Sequence, residues 1–171
     1  MLNSVAKIVL ADRIGVFAQI HEQFLRDKPS IIERDEFADY LDEDSNSEDL
    51  LWAIAYLNRR IEWIDWAGEE DSDQLKGFVD ERMESLTGSK LDWAFLEEFE
   101  KSLDFEKLNR GDYIVKKIGC IDSEIRKKGF LIATLDRGDD QYYPFVAAID
   151  DFQGVDGAGI GTTWVIAWAD L

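Results

Sequence analysis

The chain has 171 residues, 46% hydrophobic and 12% aromatic, which suits one globular domain with a sizeable core. Its 37 acidic against 19 basic residues leave a net charge of −18, a surface that repels nucleic-acid phosphates and anionic membranes, so neither is an expected partner. The single cysteine, Cys120, excludes an internal disulfide and a cysteine-rich metal site.

No apolar run approaches the ~20 residues that cross a bilayer. The first apolar run is broken by Asp12 and Arg13, unlike a signal peptide. A soluble cytoplasmic protein is the expectation.

In chain order, Val5, Ile8, Val9, Val16, Ile20 and Phe24 follow a helical spacing and predict one long amphipathic helix over residues 2–27, closed by Pro29. Ser30 with Glu33 three residues on has the pattern of a capping box, and predicts a second helix carrying Ile31, Ile32, Phe37, Tyr40 and Leu41 to about Asp42. From Glu33 to Asp49 the only basic residue is Arg34, making this the most acidic stretch. Residues 50–60 read as a helix with Leu50, Leu51, Ile54 and Leu57 inward. Residues 61–66 change period and suggest a strand, with a helix continuation as the alternative.

Asp71 or Ser72 is placed to cap a helix over 73–86, which Thr87-Gly88-Ser89 ends. Asp92 caps a short helix bearing Trp93, Phe95, Leu96 and Phe99, and Leu103, Phe105 and Leu108 continue the apolar lining. Residues 111–128 form a helix with Ile114, Ile118, Ile121 and Ile125 inward and a basic flank that includes Lys116, Lys117 and Arg126. Gly129 is its C-cap.

The last third is the most informative. Residues 130–135 and 142–149 are runs of strand formers, and Asp136-Arg137-Gly138-Asp139-Asp140 between them has the composition of a tight turn. Phe130 and Ile132 point to one face, Leu131, Ala133 and Leu135 to the other. Both sets are apolar, so the sheet needs cover on both sides. Tyr142 and Tyr143 must face opposite ways. Residues 162–168 make a third strand. The expected fold is α+β: N-terminal helices packed on a C-terminal antiparallel sheet of three or four strands, a meander joined by residues 61–66, in one domain.

Candidate chemistry is sparse. Asp136, Asp139 and Asp140, with Asp150 and Asp151, could gather on a hard cation, but their spacing does not match a calcium loop, and a turn rich in turn formers explains them. His21 is the sole histidine, which excludes multi-histidine zinc sites, and no nucleophile elbow accompanies it. Cys120 reads as a structural thiol. Gly154 to Gly161 has the look of a phosphate loop but lacks a following Lys-Ser or Lys-Thr and precedes a strand. Most of the six tryptophans are expected in the core. No catalytic residue, metal ligand or cofactor is assigned.

The hairpin from Gly129-Phe130 through Leu135-Asp136-Arg137-Gly138-Asp139-Asp140-Gln141-Tyr142 to Phe145-Val146, preceded by the 111–128 helix, resembles an uncharacterised family of bacterial domains of unknown function. Its members share a Gly-aromatic strand and a Leu-Asp-x-Gly-x-Asp-x-Tyr turn. That resemblance covers the last third of the chain and implies a fold but no activity. In type, though not residue by residue, the chain also resembles small acidic immunity proteins of bacterial toxin systems.

The expected function is therefore non-enzymatic: an acidic protein that neutralises a basic protein partner, most concretely a toxin domain, by steered encounter and aromatic anchoring. Contacts are expected from Asp35, Glu36, Asp39, Asp42, Glu43 and Asp44 and from Asp136, Asp139, Asp140 and Tyr142. The alternatives are a metal- or ligand-binding enzyme built on Asp136, Asp139 and Asp140, and a housekeeping interaction domain that dimerises through a sheet face.

Overall fold

The computed structural model describes residues 1–69 and 73–170. The helices are α1 (Leu2–Leu10), α2 (Ile14–Arg26), α3 (Pro29–Ile32), α4 (Ser47–Leu57), α5 (Gln74–Thr87), α6 (Ala94–Ser102), α7 (Asp112–Arg126) and α8 (Ile149–Phe152). The strands are β1 (Ile64–Asp65), β2 (Phe130–Asp136), β3 (Gln141–Tyr142), β4 (Pro144–Ala148), β5 (Gly159–Ile160) and β6 (Thr163–Ala167). The expected capping role of Asp71 or Ser72 lies outside the described residues.

The α+β architecture is the expected one, with a different strand order. β2 is central: it pairs antiparallel with β4 on one side and β6 on the other, and β5 pairs with β6, giving the order β4-β2-β6-β5. A meander is therefore corrected, because the third strand returns to the far side of the first. The fourth strand comes from the glycine-rich segment. Residues 61–66 instead supply two-residue β1, which pairs with β3 in a separate ribbon.

Side-chain alternation along β2 divides the interior. Leu131, Ala133 and Leu135 join Phe145, Ala147, Val165 and Ala167 in a core covered by α1, α2 and α4. Ile132 joins Val146 and Trp168 in a second core built from α5, α6 and the four isoleucines of α7. The sheet is thus covered on both faces, as its two apolar sides require. Past the end of β6 the amide of Ile132 has no strand partner, and Asp122 of α7, 3% exposed, accepts it at 2.7 Å.

The first expected helix is two. Ala11 adopts φ 48 and a 3-10 turn over Ala11–Arg13 separates α1 from α2. This turn rotates the apolar stripe, so Phe17 is buried and Val16 is exposed. The next helix stops at Ile32. Ser30 Oγ donates to the Asp27 carbonyl instead of capping, and Arg34, Phe37 and Tyr40 amides bond three residues back in successive turns. Lys117, expected on a basic flank, is buried and pairs with buried Glu69. Among the tryptophans only Trp168 is buried. Trp52, Trp63 and Trp93 are half-buried, and Trp66 and Trp164 are exposed. Phe105 is also exposed, with its ring against Tyr113.

His21 stacks on Phe17 at 5.1 Å, and its Nε2 lies 2.8 Å from Ser47 Oγ. Burial pushes its pKa below the ordinary 6.5. Folding therefore favours the neutral ring. The stability this contributes is present above the unfolded pKa and is lost as pH falls through the lower folded one. Thermal unfolding of wild type and His21→Gln across pH 7.5 to 5 should show wild type losing stability relative to the variant as pH falls. A constant difference would contradict this.

Candidate functional site

The two segments expected to contact a partner meet at one recess of about 350 Å³, lined by Tyr40, Trp52, Tyr56, Trp63, Arg137, Asp139, Gln141 and Tyr143. Local sequence explains how each side arrives. Asn46 caps α4, accepting from Glu48 N at 2.7 Å, while Asp49 Oδ2 accepts from Asn46 N at 2.9 Å, a reciprocal capping box. Leu50, Leu51 and Ile54 then face the core, which leaves Trp52 and Tyr56, four residues apart, on the outer side of α4. Their rings stack at 5.5 Å with 3° between planes, and Tyr40 tilts against both.

The hairpin closes the other side. Asp136 Oδ1 accepts from Gly138 N at 2.9 Å, Gly138 takes φ 74, and Asp139 Oδ1 accepts from Gln141 N at 3.2 Å. This turn aims Arg137 back across the recess. Its guanidinium lies 5.3 Å from the Trp52 ring and 5.9 Å from the Tyr143 ring, and Nη2 donates to Asp49 Oδ1 at 2.9 Å. The remaining Asp49 oxygen holds the cap, so one carboxylate ties the acidic connector to the hairpin.

Tyr143 meets Trp52 edge-on at 5.8 Å. Its hydroxyl lies 2.8 Å from Asp139 Oδ2 and 2.7 Å from Gln141 Oε1, sharing one proton between two acceptors. Burial first, then the hydrogen bond and charge of Asp139, push its pKa well up, so it stays a neutral donor. Trp63 Nε1 donates to Gln141 Oε1. Trp52 Nε1 is buried without a hydrogen-bond partner. The site is an aromatic box that already seats one guanidinium, with the carboxylates of Asp49 and Asp139 beside it.

Of the expected contact residues, Asp139 lines the recess. Asp136 is half-buried in the turn and Asp140 is exposed. Asp35, Glu36, Asp39, Asp42, Glu43 and Asp44 are exposed on the segment that carries Tyr40 to the recess. Asp42 Oδ1 accepts from Ser45 Oγ and from the amides of Asp44 and Ser45, and the Ser45 hydroxyl is the chief cause of its lowered pKa. Tyr142 turns to the opposite face, edge-on to Trp168 at 5.1 Å; Tyr143 is the tyrosine at the recess.

Sequence reasoning named neither Arg137 nor the ring set of Tyr40, Trp52, Tyr56, Trp63 and Tyr143 as one site. The four-residue spacing of Trp52 and Tyr56, opposite the leucines of α4, was the available signal. Among the described residues no three His, Cys, Asp or Glu side chains gather as a metal site. Cys120 is half-buried, and desolvation raises its thiol pKa. The glycine-rich segment leads into β5, not into a helix N-terminus.

No curated protein and no solved structure matches the chain. A family model described as Domain of unknown function (DUF6630) matches residues 3–159, from α1 into β5 and well beyond the hairpin on which the sequence resemblance rested. The protein belongs to this DUF6630 family.

Proposed function

We propose that the protein is a non-enzymatic binding protein that holds a basic protein partner on the acidic segment and aromatic recess, most concretely as an immunity protein neutralising a bacterial toxin domain in the cytoplasm. The observation that carries this reading is Arg137. A guanidinium already sits over Trp52 and Tyr143 and against Asp49, so the recess has the chemistry that holds arginine. The half-buried rings of Tyr40, Trp52 and Trp63 and the exposed acids of residues 35–44 offer the same chemistry to a partner's arginine or lysine. The net charge of −18 steers such a partner and repels competing polyanions. Neutralisation then needs only coverage of the partner's working surface.

The enzyme alternative draws no support from side-chain geometry, since Asp136 and Asp139 are engaged by the amides and hydroxyl of their own hairpin.

Affinity capture with wild type and with an Asp35→Lys/Asp39→Lys/Asp44→Lys variant, at two salt concentrations, tests the reading. All three acids are exposed, so the fold should persist. A basic protein retained stoichiometrically by wild type, with at least about tenfold weaker retention by the variant or at high salt, is expected. Equal capture by both baits would overturn the reading.

A further inference from the structure

A larger cavity, about 530 Å³, lies away from the recess, between α1, α5 and the outer edge of β4. Arg82 of α5 lines it and is 3% exposed. Its Nε is buried without a hydrogen-bond partner, and no carboxylate among the described residues forms an ion pair with the guanidinium. Arginine cannot shed its proton to escape burial, so an unpaired guanidinium there is costly and calls for an anion.

The rest of the lining fits that anion. Lys7 and Ser4 of α1 stand at the opening, and Asp151 is the one acidic side chain. Counting Lys7 and Arg82 against Asp151, the cavity carries a net +1 inside a chain of −18. A monoanion suits this balance better than a dianion. β4 is an edge strand. Its odd-numbered residues face β2, since Leu135 N bonds Tyr143 O and Ile149 N bonds Gly129 O. The backbone groups of Val146 and Ala148 therefore point to the open edge, where the cavity lies. Ile8, Leu86 and Val155 supply apolar wall. Ala11, at φ 48, also lines the cavity, and backbone strain of this kind concentrates at binding sites.

We infer that this cavity binds a small organic carboxylate, with the carboxylate on the buried guanidinium of Arg82, assisted by Lys7, and an apolar body against Ile8, Leu86 and Val155. The planar fork of arginine matches a carboxylate in a two-point contact. The volume is within the range of small-molecule sites.

Octanoate is the probe, with octanol as the uncharged control and inorganic phosphate as the test of a bare anion. Calorimetric titration and thermal unfolding should show octanoate binding to wild type at least about tenfold more tightly than octanol, as loss of a charge-assisted bond implies. Phosphate should bind more weakly than octanoate. Arg82→Met should raise the melting temperature of the ligand-free protein, by removing an unpaired buried charge, and abolish the octanoate-induced shift. Lys7→Ala, at an exposed position, should weaken octanoate without changing the fold. Equal binding of octanoate and octanol, stronger binding of phosphate, or an octanoate shift that survives in Arg82→Met would each overturn the assignment. So would an Arg82→Met protein that melts lower than wild type.

Discussion

Gly161→Ala is expected to lose about 3 kcal/mol of stability, from strain at a left-handed backbone together with overpacking. Gly161 has φ 60, and an alanine Cβ there would lie 1.8 Å from Glu48 Oε2. Glu48 cannot move aside freely. It is 8% exposed, and its carboxylate accepts from Thr162 N at 3.1 Å and from the hydroxyls of Thr162 and Thr163. That contact fixes the turn between β5 and β6 to the first turn of α4, the helix that carries Trp52 and Tyr56. Urea unfolding of Gly161→Ala should show a lower midpoint, and the loss should shrink when Glu48→Ala is added, because the second change removes the obstructing carboxylate. A change within about 0.5 kcal/mol, the range of ordinary surface substitutions, would contradict the close approach.

Lys117→Ala is expected to cost about 3–5 kcal/mol, the range for removing one partner of a buried pair. Lys117 and Glu69 have side chains only 3% and 5% exposed. Glu69 also accepts from Leu75 N at 2.7 Å, so it secures the first turn of α5 as well as α7. Without Lys117 its carboxylate is left buried without its cation. The double change Lys117→Met/Glu69→Leu should recover much of the loss, because an apolar pair of similar volume replaces both charges. A Lys117→Ala protein as stable as wild type would show that the pair is open to solvent.

What the sequence made legible was the local periodicity. The two apolar faces of β2, the inward isoleucines of α7 and the divergence of Tyr142 from Tyr143 all follow from spacing within one element, while Gly129, expected as the cap of α7, takes a positive φ of 85 beyond the helix end, whose C-cap is Lys127. What escaped it was decided between elements. No proline or glycine marks the break at Ala11, so residues 2–27 read as one helix although the stripe turns there. Lys117 looks like a flank residue because its partner lies 48 positions away. Trp164 and Trp66 carry strand or near-strand positions but are the exposed tryptophans, Trp164 with its ring along Gly159 and Trp66 with its ring against Gly111 and the Arg110 guanidinium. The recess was half visible. Its acids and its hairpin were named, while the rings joined them only once Arg137 crossed to Asp49.

The same bridge gives the protein a coherent surface. Asp49 is both a helix cap and the anchor of Arg137, so α4 and the hairpin hold one geometry around the aromatic box. A recess held this way is preorganised, so under the proposed reading a partner's basic side chain would meet rings and carboxylates already in place.

A photo-cross-linking residue installed at exposed Asp39, next in sequence to Tyr40 of the recess, and in a separate protein at exposed Glu97 on α6, compares the two surfaces inside the source cell. Binding through the acidic segment predicts one discrete adduct with a basic protein from position 39 and none from position 97. Adducts of equal yield from both positions, or an adduct from position 97 alone, would contradict it.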